Sequence, residues 1–165
     1  MLWFATAIGV CGVEWSEAGI TRVHLPGGRR RPPAADARAP EAVRAAIAGI
    51  GALLAGERRE LTDIVLDERG IDPFRRRVFA ATRAIGPGAT ASYGQIARAI
   101  GAPGAARAVG AALGSNPFPI VVPCHRVLAA DGALTGFSAP GGIMTKRRML
   151  EIERAPGFTQ EALFA

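Results

Sequence analysis

The run SYGQIARAIGAPGAARAVGAAL, residues 92–113, decides the fold. Ser92 and Gln95 stand at the spacing of a capping box, in which side chains at the two positions satisfy each other's backbone N–H groups, so a helix is expected through Ile100. Gly101 to Pro103 breaks it, and a second helix resumes over Gly104 to Leu113. Two short helices around a tight Gly-containing turn match a helix-turn-helix, although any small helical domain contains such pairs. The second helix is almost wholly Gly and Ala, with Arg107 its single charge. Small side chains let a helix approach another surface closely, and a lone Arg on that face could enter a groove or replace a base. Equally, the helix could be tightly packed with Arg107 reaching solvent.

Upstream, Asp72-Pro73 reads as an N-cap followed by Pro at the first helical position. Phe74, Val78, Phe79, Thr82 and Ile85 then fall at helical spacing up to Gly86-Pro87-Gly88. Residues 1 to about 66 read as a separate α+β unit, linked through Asp67 to Ile71. Two strands are expected over Leu2 to Val13 and Ile20 to Leu25, joined around Ser16 to Gly19. PGGRRRPPAADARA, residues 26–39, lacks any period and reads as an exposed loop. Pro40 opens a helix carrying Val43, Ile47, Ile50 and Leu54 on one face, closed by Gly56. Leu61 to Leu66 alternates as a further strand. The expected domains are therefore 1–70, a supporting α+β unit, and 71–165, a helical unit.

Composition narrows the partner. The chain has 165 residues, 49% apolar and 21% charged, which excludes disorder and a fibrous repeat. Residues 1–70 hold nine basic and nine acidic side chains, whereas residues 71–165 hold eleven and five, so the net +6 sits in the second part. That asymmetry points to a polyanionic partner, or to no more than an Arg-rich background. Cys11 and Cys124 form neither a disulfide framework nor a CxxC metal site, which suggests a reducing cytoplasm. The apolar run Met1 to Val13 lacks a basic start and a cleavage site and is too short for a membrane span, so no membrane association is expected.

The segment NPFPIVVPCHRV, residues 116–127, carries the chemistry. Three prolines stiffen an extended stretch, and Ile120, Val121 and Val122 anchor it, so Cys124 emerges in a fixed direction. A free thiol is mostly protonated near neutrality, and His125 and Arg126 supply a base and a positive charge beside it. Neighbours on an extended strand point to opposite faces, so His125 would act through a water or at a bend. Cys-His adjacency is equally compatible with a buried structural Cys.

PCHRV at 123–127, preceded by SNPFPIVV and GAARAVGAALG and further upstream by SYGQIA, resembles the O6-alkylguanine-DNA alkyltransferases, single-turnover repair proteins for methylated guanine. The resemblance runs from about Phe74 to Glu153. It implies a ribonuclease-H-like α/β domain ahead of a helical, winged-helix-like domain. It further implies that Cys124 accepts the alkyl group in an SN2 displacement and stays alkylated, without a cofactor. In the family the next His, here His125, is bridged to the thiol by a water and oriented by a Glu matching Glu153. Asn116 would brace the turn that presents the segment, and Tyr93 would donate a proton to the leaving guanine.

The lesion must leave the stack, and the resemblance gives Arg107 the vacated place in the minor groove, with Ala105, Ala106, Gly110 and Tyr93 along the contact. Duplex DNA containing alkylated guanine is then the partner, bound with low sequence specificity by a monomer. Pro119, Val127, Phe137 and Ser138 are expected to line the substrate pocket. Around them GFSAPGG, residues 136–142, departs from the family's Gly-Tyr pattern by a Phe and two extra residues. Cys11 and His24 are too few for the structural zinc some members carry, so no metal is expected. Two other classes of activity fit parts of the sequence: a non-covalent recognition module for alkylated bases, against which the presence of Cys124 speaks, and a turnover thiol hydrolase, for which no oxyanion hole is evident.

Overall fold

The computed structural model describes residues 1–27, 38–135 and 141–159. Within them the chain is mixed α/β, with five α-helices and two small sheets. An antiparallel sheet in the order β1-β2-β3 is built from β1 (Leu2–Thr6), β2 (Gly9–Ser16) and β3 (Gly19–His24). The expected strand over Leu2 to Val13 is thus a hairpin. Thr6 is the reason: its Oγ1 donates to the Gly9 carbonyl at 2.6 Å and accepts from Ile8 N at 3.2 Å, while Gly9 takes a φ of 126° that favours glycine.

Leu61 to Leu66 is not a strand either. Ile64 N donates to Leu61 O at 3.2 Å, a turn that buries both side chains three residues apart and leaves Val65 65% exposed. Only Leu66 bridges a strand, at Ile20. The strand expected over Ile20 to Leu25 is irregular. Ile20, Val23 and Leu25 are the buried residues, and the register slips from Glu14↔Arg22 to Trp15↔Ile20, which makes Thr21 the extra residue of a β-bulge.

The helices follow their sequence signals closely. Helix α1 (Glu41–Leu54) starts after Pro40 and turns Val43, Ala46, Ile50 and Leu53 inward. In α2 (Pro73–Arg83) Asp72 caps Arg75 N, and in α3 (Tyr93–Ala99) both halves of the Ser92–Gln95 capping box are formed. Gly101 and Gly104, with φ of 73° and 88°, make the tight turn into α4 (Ala106–Gly114). A short β4 (Ala91–Ser92) pairs in parallel with β5 (Val127–Leu128), and α5 (Gly142–Ile152) closes the described chain. One contiguous apolar core joins both halves, from Phe4 and Ile50 through Phe79 and Phe118 to Met149. The arginines at 29–31 lie outside the described residues, and among the described ones no helix is long and apolar enough to cross a membrane.

Candidate active site

The stretch between α4 and β5 is held as a loop clamped from one side chain. Asn116 Nδ2 donates to Val122 O at 2.9 Å, while its Oδ1 accepts from Phe118 N at 2.8 Å. The chain does not stay extended to the cysteine. Pro123 adopts φ −79° and ψ 66°, and Cys124 N donates to Val122 O at 2.7 Å, an inverse γ-turn that feeds a single 3₁₀ turn over Cys124–Arg126. This is the bend that lets a Cys and the following His serve one site.

The thiol is buried and free, as is that of Cys11. Burial pushes the Cys124 thiol up, opposed by a hydrogen bond from Asn116 and by the positive charge of Lys146. Asn116 therefore serves both the loop and the sulfur. His125 is 1% exposed; its Nε2 lies 2.8 Å from Glu153 Oε1. Arg126 donates from Nε and Nη2 to the two oxygens of the same carboxylate, at 2.9 and 2.8 Å, and from Nη1 to Ile85 O. Burial alone would raise the Glu153 carboxyl, but the His125 and Arg126 hydrogen bonds outweigh it and hold it down at about 2. With Glu153 ionised, Nε2 carries the imidazole proton. Nδ1 then presents a buried lone pair with no partner among the described residues.

Burial keeps His125 below its ordinary value against the pull of Glu153, so the native imidazole is neutral. Both groups act in the same direction on stability. Unfolding returns His125 to a pKa near 6.5 and Glu153 to 4.5, so the unfolded chain takes up protons first as pH falls. The urea midpoint is expected to drop below pH 6.5, and further between 4.5 and 2. An unchanged midpoint from pH 7.5 to 4 would mean that His125 is not held neutral.

Tyr93 begins α3, and the β4–β5 pairing sets that helix beside the exit from the 3₁₀ turn. Its hydroxyl donates to Thr135 O at 3.2 Å. Burial pushes the phenol up, the Thr135 bond opposes this, and Cys124 adds to it. The phenol therefore keeps its proton at neutral pH. On α4, Arg107 is exposed while Ala105, Ala106 and Gly110 are half-buried. A Cβ at Gly110 would meet the Tyr93 ring at 3.8 Å, an ordinary contact, so this position lies directly beside that ring. An open depression of about 810 Å³ runs over Tyr93, Arg98, Ala106, Arg107, Gly110 and Thr135. Pro119, half-buried, and Val127, fully buried in β5, do not line it, nor does Cys124. Phe137 and Ser138 lie outside the described residues.

Residues 73–155 match the family model described as the DNA-binding domain of 6-O-methylguanine DNA methyltransferase. A methylated-DNA–protein-cysteine methyltransferase of Mycolicibacterium paratuberculosis is 54% identical over 115 residues, 70% of this chain and 67% of that one. The chain belongs to this methyltransferase family. Among solved structures, Mycobacterium tuberculosis OGT in complex with DNA superposes with a TM-score of 0.74 at 40% identity, covering 99% of this chain and 98% of that one. A DNA base-flipping protein of Thermus thermophilus is 39% identical over 146 residues, 86% of this chain and 92% of its own.

Among the described residues, Lys146 stands at this methyltransferase site and was passed over by sequence reasoning. It is 1% exposed, and its Nζ donates to Val127 O at 2.7 Å and Thr135 O at 3.0 Å, with the Tyr93 ring centroid 6.0 Å away. Burial lowers its pKa and the nearby thiol raises it. In KRR, residues 146–148, it reads as part of a basic surface. The signal was the spacing: 146, 149, 150 and 153 share one helical face, and all four are buried.

Proposed function

We propose that this chain repairs O6-methylguanine in duplex DNA by one irreversible transfer of the alkyl group to its own Cys124, with O4-methylthymine as a second substrate class. The observation that carries the reading is the His125 imidazole, fixed at Nε2 by Glu153 and left with a free Nδ1 on the residue next to a buried thiol. The thiol proton passes to Nδ1 through one water. Sγ displaces the methyl carbon, a C–S bond forms and the C–O6 bond breaks with its electron pair on the base. Imidazolium formation is favoured by the adjacent carboxylate. Tyr93 delivers a proton to the leaving guanine at N3, and the His125 imidazolium returns a proton to the phenolate through solvent, so the proton lost by the thiol is balanced by the one gained by the base. His125 and Tyr93 regain their starting protonation, but Cys124 does not return, since the thioether persists.

Arg107 and the small face of α4, Ala105, Ala106 and Gly110, take the minor groove and the space of the extruded base. Affinity then rests on phosphates and groove shape, with little sequence preference. Pro119, Val127, Phe137 and Ser138 are assigned to the pocket for the alkyl group and base. Residues 1–70 form the supporting domain, ribonuclease-H-like in its antiparallel sheet followed by a helix, and 71–165 the acceptor domain, winged-helix-like in α2, α3, α4 and the β4–β5 pair. The protein acts as a monomer. Two unpaired buried thiols fit the reducing cytoplasm.

Similarity to a base-flipping protein favours one second reading, recognition of the lesion without chemistry. Intact mass after incubation with an O6-methylguanine duplex separates the two. Gain of one methylene per chain, mapped to Cys124, is expected. Tight lesion binding with unchanged mass would leave a recognition module, and repair in excess of protein without an adduct would indicate a turnover hydrolase.

A further inference from the structure

The free edge of β3 faces the second half of the chain, and two of its amides leave the sheet there. Ile20 accepts at its carbonyl from Asp67 N at 2.8 Å and donates from its own N–H to Val65 O at 3.0 Å. Val23 N donates to Pro117 O at 2.9 Å. Backbone amides on a regular strand alternate sides, so residues three apart point in opposite directions. Ile20 and Val23 both reach outward because the extra residue Thr21 shifts the phase between them. The same shift explains why both side chains are buried and Arg22 between them is exposed. Without the bulge, the strand could hold the interdomain link or the loop after α4, but not both.

Pro117 follows Asn116, whose amide holds Phe118 N and Val122 O, the same carbonyl that accepts from Cys124 N at 2.7 Å. The bond from Val23 is therefore one residue from the side chain that positions the sulfur. Phe118, fully buried edge-on to Phe79 with ring centroids 6.3 Å apart, fixes the loop from the other side. Further along, Ile120 sits at φ 75°, a conformation a β-branched side chain adopts only where its surroundings impose it. The loop is thus held in a shape it would not take alone.

We propose that the Thr21 bulge makes β3 a positioning element of the acceptor site, with the Val23 N–H setting the Asn116 loop and through it the Cys124 thiol. This gives the first half of the chain a part in the reaction beyond supporting the second, and it rests on the alkyl-transfer reading. The test is a pair of full-length chains in which one residue is replaced by its α-hydroxy acid, which turns one backbone amide into an ester, removing that N–H and weakening the preceding carbonyl as an acceptor in both chains alike. One chain carries the change at Val23, the other at Ile20.

Each loses a single hydrogen bond of the same strand edge, so a purely structural role predicts similar losses in melting temperature and rate for both. The positioning role predicts a transfer rate at saturating duplex about tenfold lower for the Val23 ester, with unchanged Kd for DNA, since small displacements of a reacting atom are costly. The Ile20 ester should stay within about twofold of wild type on the same scale. The rate at which iodoacetamide alkylates Cys124, and its pH profile, should move with the Val23 ester alone. Equal rates for the two esters, in either direction, would overturn the proposal. Thiol labelling needs no DNA, so a wild-type chain that fails to accept a methyl group would sink the alkyl-transfer reading while the esters still decide the positioning role.

Discussion

Glu153→Gln is expected to slow single-turnover transfer by about 10²- to 10⁴-fold, the range for losing a positioned proton acceptor, and to lower stability by about 3–5 kcal/mol. Two positive or proton-bearing groups converge on that carboxylate: Arg126 by a two-point contact, and His125 through Nε2. An amide of the same shape keeps one acceptor oxygen but turns an N–H₂ toward the Arg126 donors. A buried guanidinium would then face a donor in place of an anion, and the imidazolium formed during transfer would lose its counter-charge. Glu153→Asp keeps the charge while shortening the reach, so it should restore most of the stability and little of the rate. The checks are the rate at saturating duplex and the urea midpoint, both near pH 7.5. A Gln variant with rate within about threefold of wild type would show that His125 is not the base.

How far the sequence foretells this site depends on whether the relevant interaction is local. The caps at Asp72 and Ser92, the turn opening at Gly101 and the apolar face of α1 are written in residues within four positions of one another and form as expected, although the second helix starts at Ala106 and not at Gly104. The three departures in the first half divide differently. The Thr6 hydrogen bonds and the Leu61–Ile64 turn are also local, but they interrupt stretches whose composition reads as strand, whereas the Thr21 bulge depends on the register with β2. The spacing of Ile20, Val23 and Leu25, three and then two, did carry the bulge in plain view as a break in alternation.

The reactive centre follows the same division. Proline content promises a rigid presentation of Cys124, and the bend needed for His125 is realised, but by an inverse γ-turn that no residue pattern announces. Lys146 shows the converse. Its burial follows from helical spacing with Met149, Leu150 and Glu153, a period that its charge obscures in the sequence. Its two carbonyl acceptors, Val127 O and Thr135 O, come from segments far along the chain from its own turn.

Arg107→Ala should separate lesion extrusion from chemistry. Extruding a base costs about a few kcal/mol, and a side chain that fills the gap offsets part of that cost. Losing roughly 1–3 kcal/mol of that compensation corresponds to a fall of about 10- to 100-fold in transfer from duplex DNA. The same variant should react with an O6-alkylated guanine in a short single strand at nearly the wild-type rate, because no stack has to be opened. Arg98→Ala, on α3, is the control from the same depression, where both arginines are exposed. A phosphate contact there would weaken duplex binding evenly across sequences and reduce the slope of log K against log salt by about 1, without a selective loss on duplex lesions. If Arg107→Ala slowed both substrates alike, its role would lie in binding or in the fold of α4. If it slowed neither, the small face of α4 would not be the surface that enters the groove, and the open depression over Tyr93 would need a different route for the base.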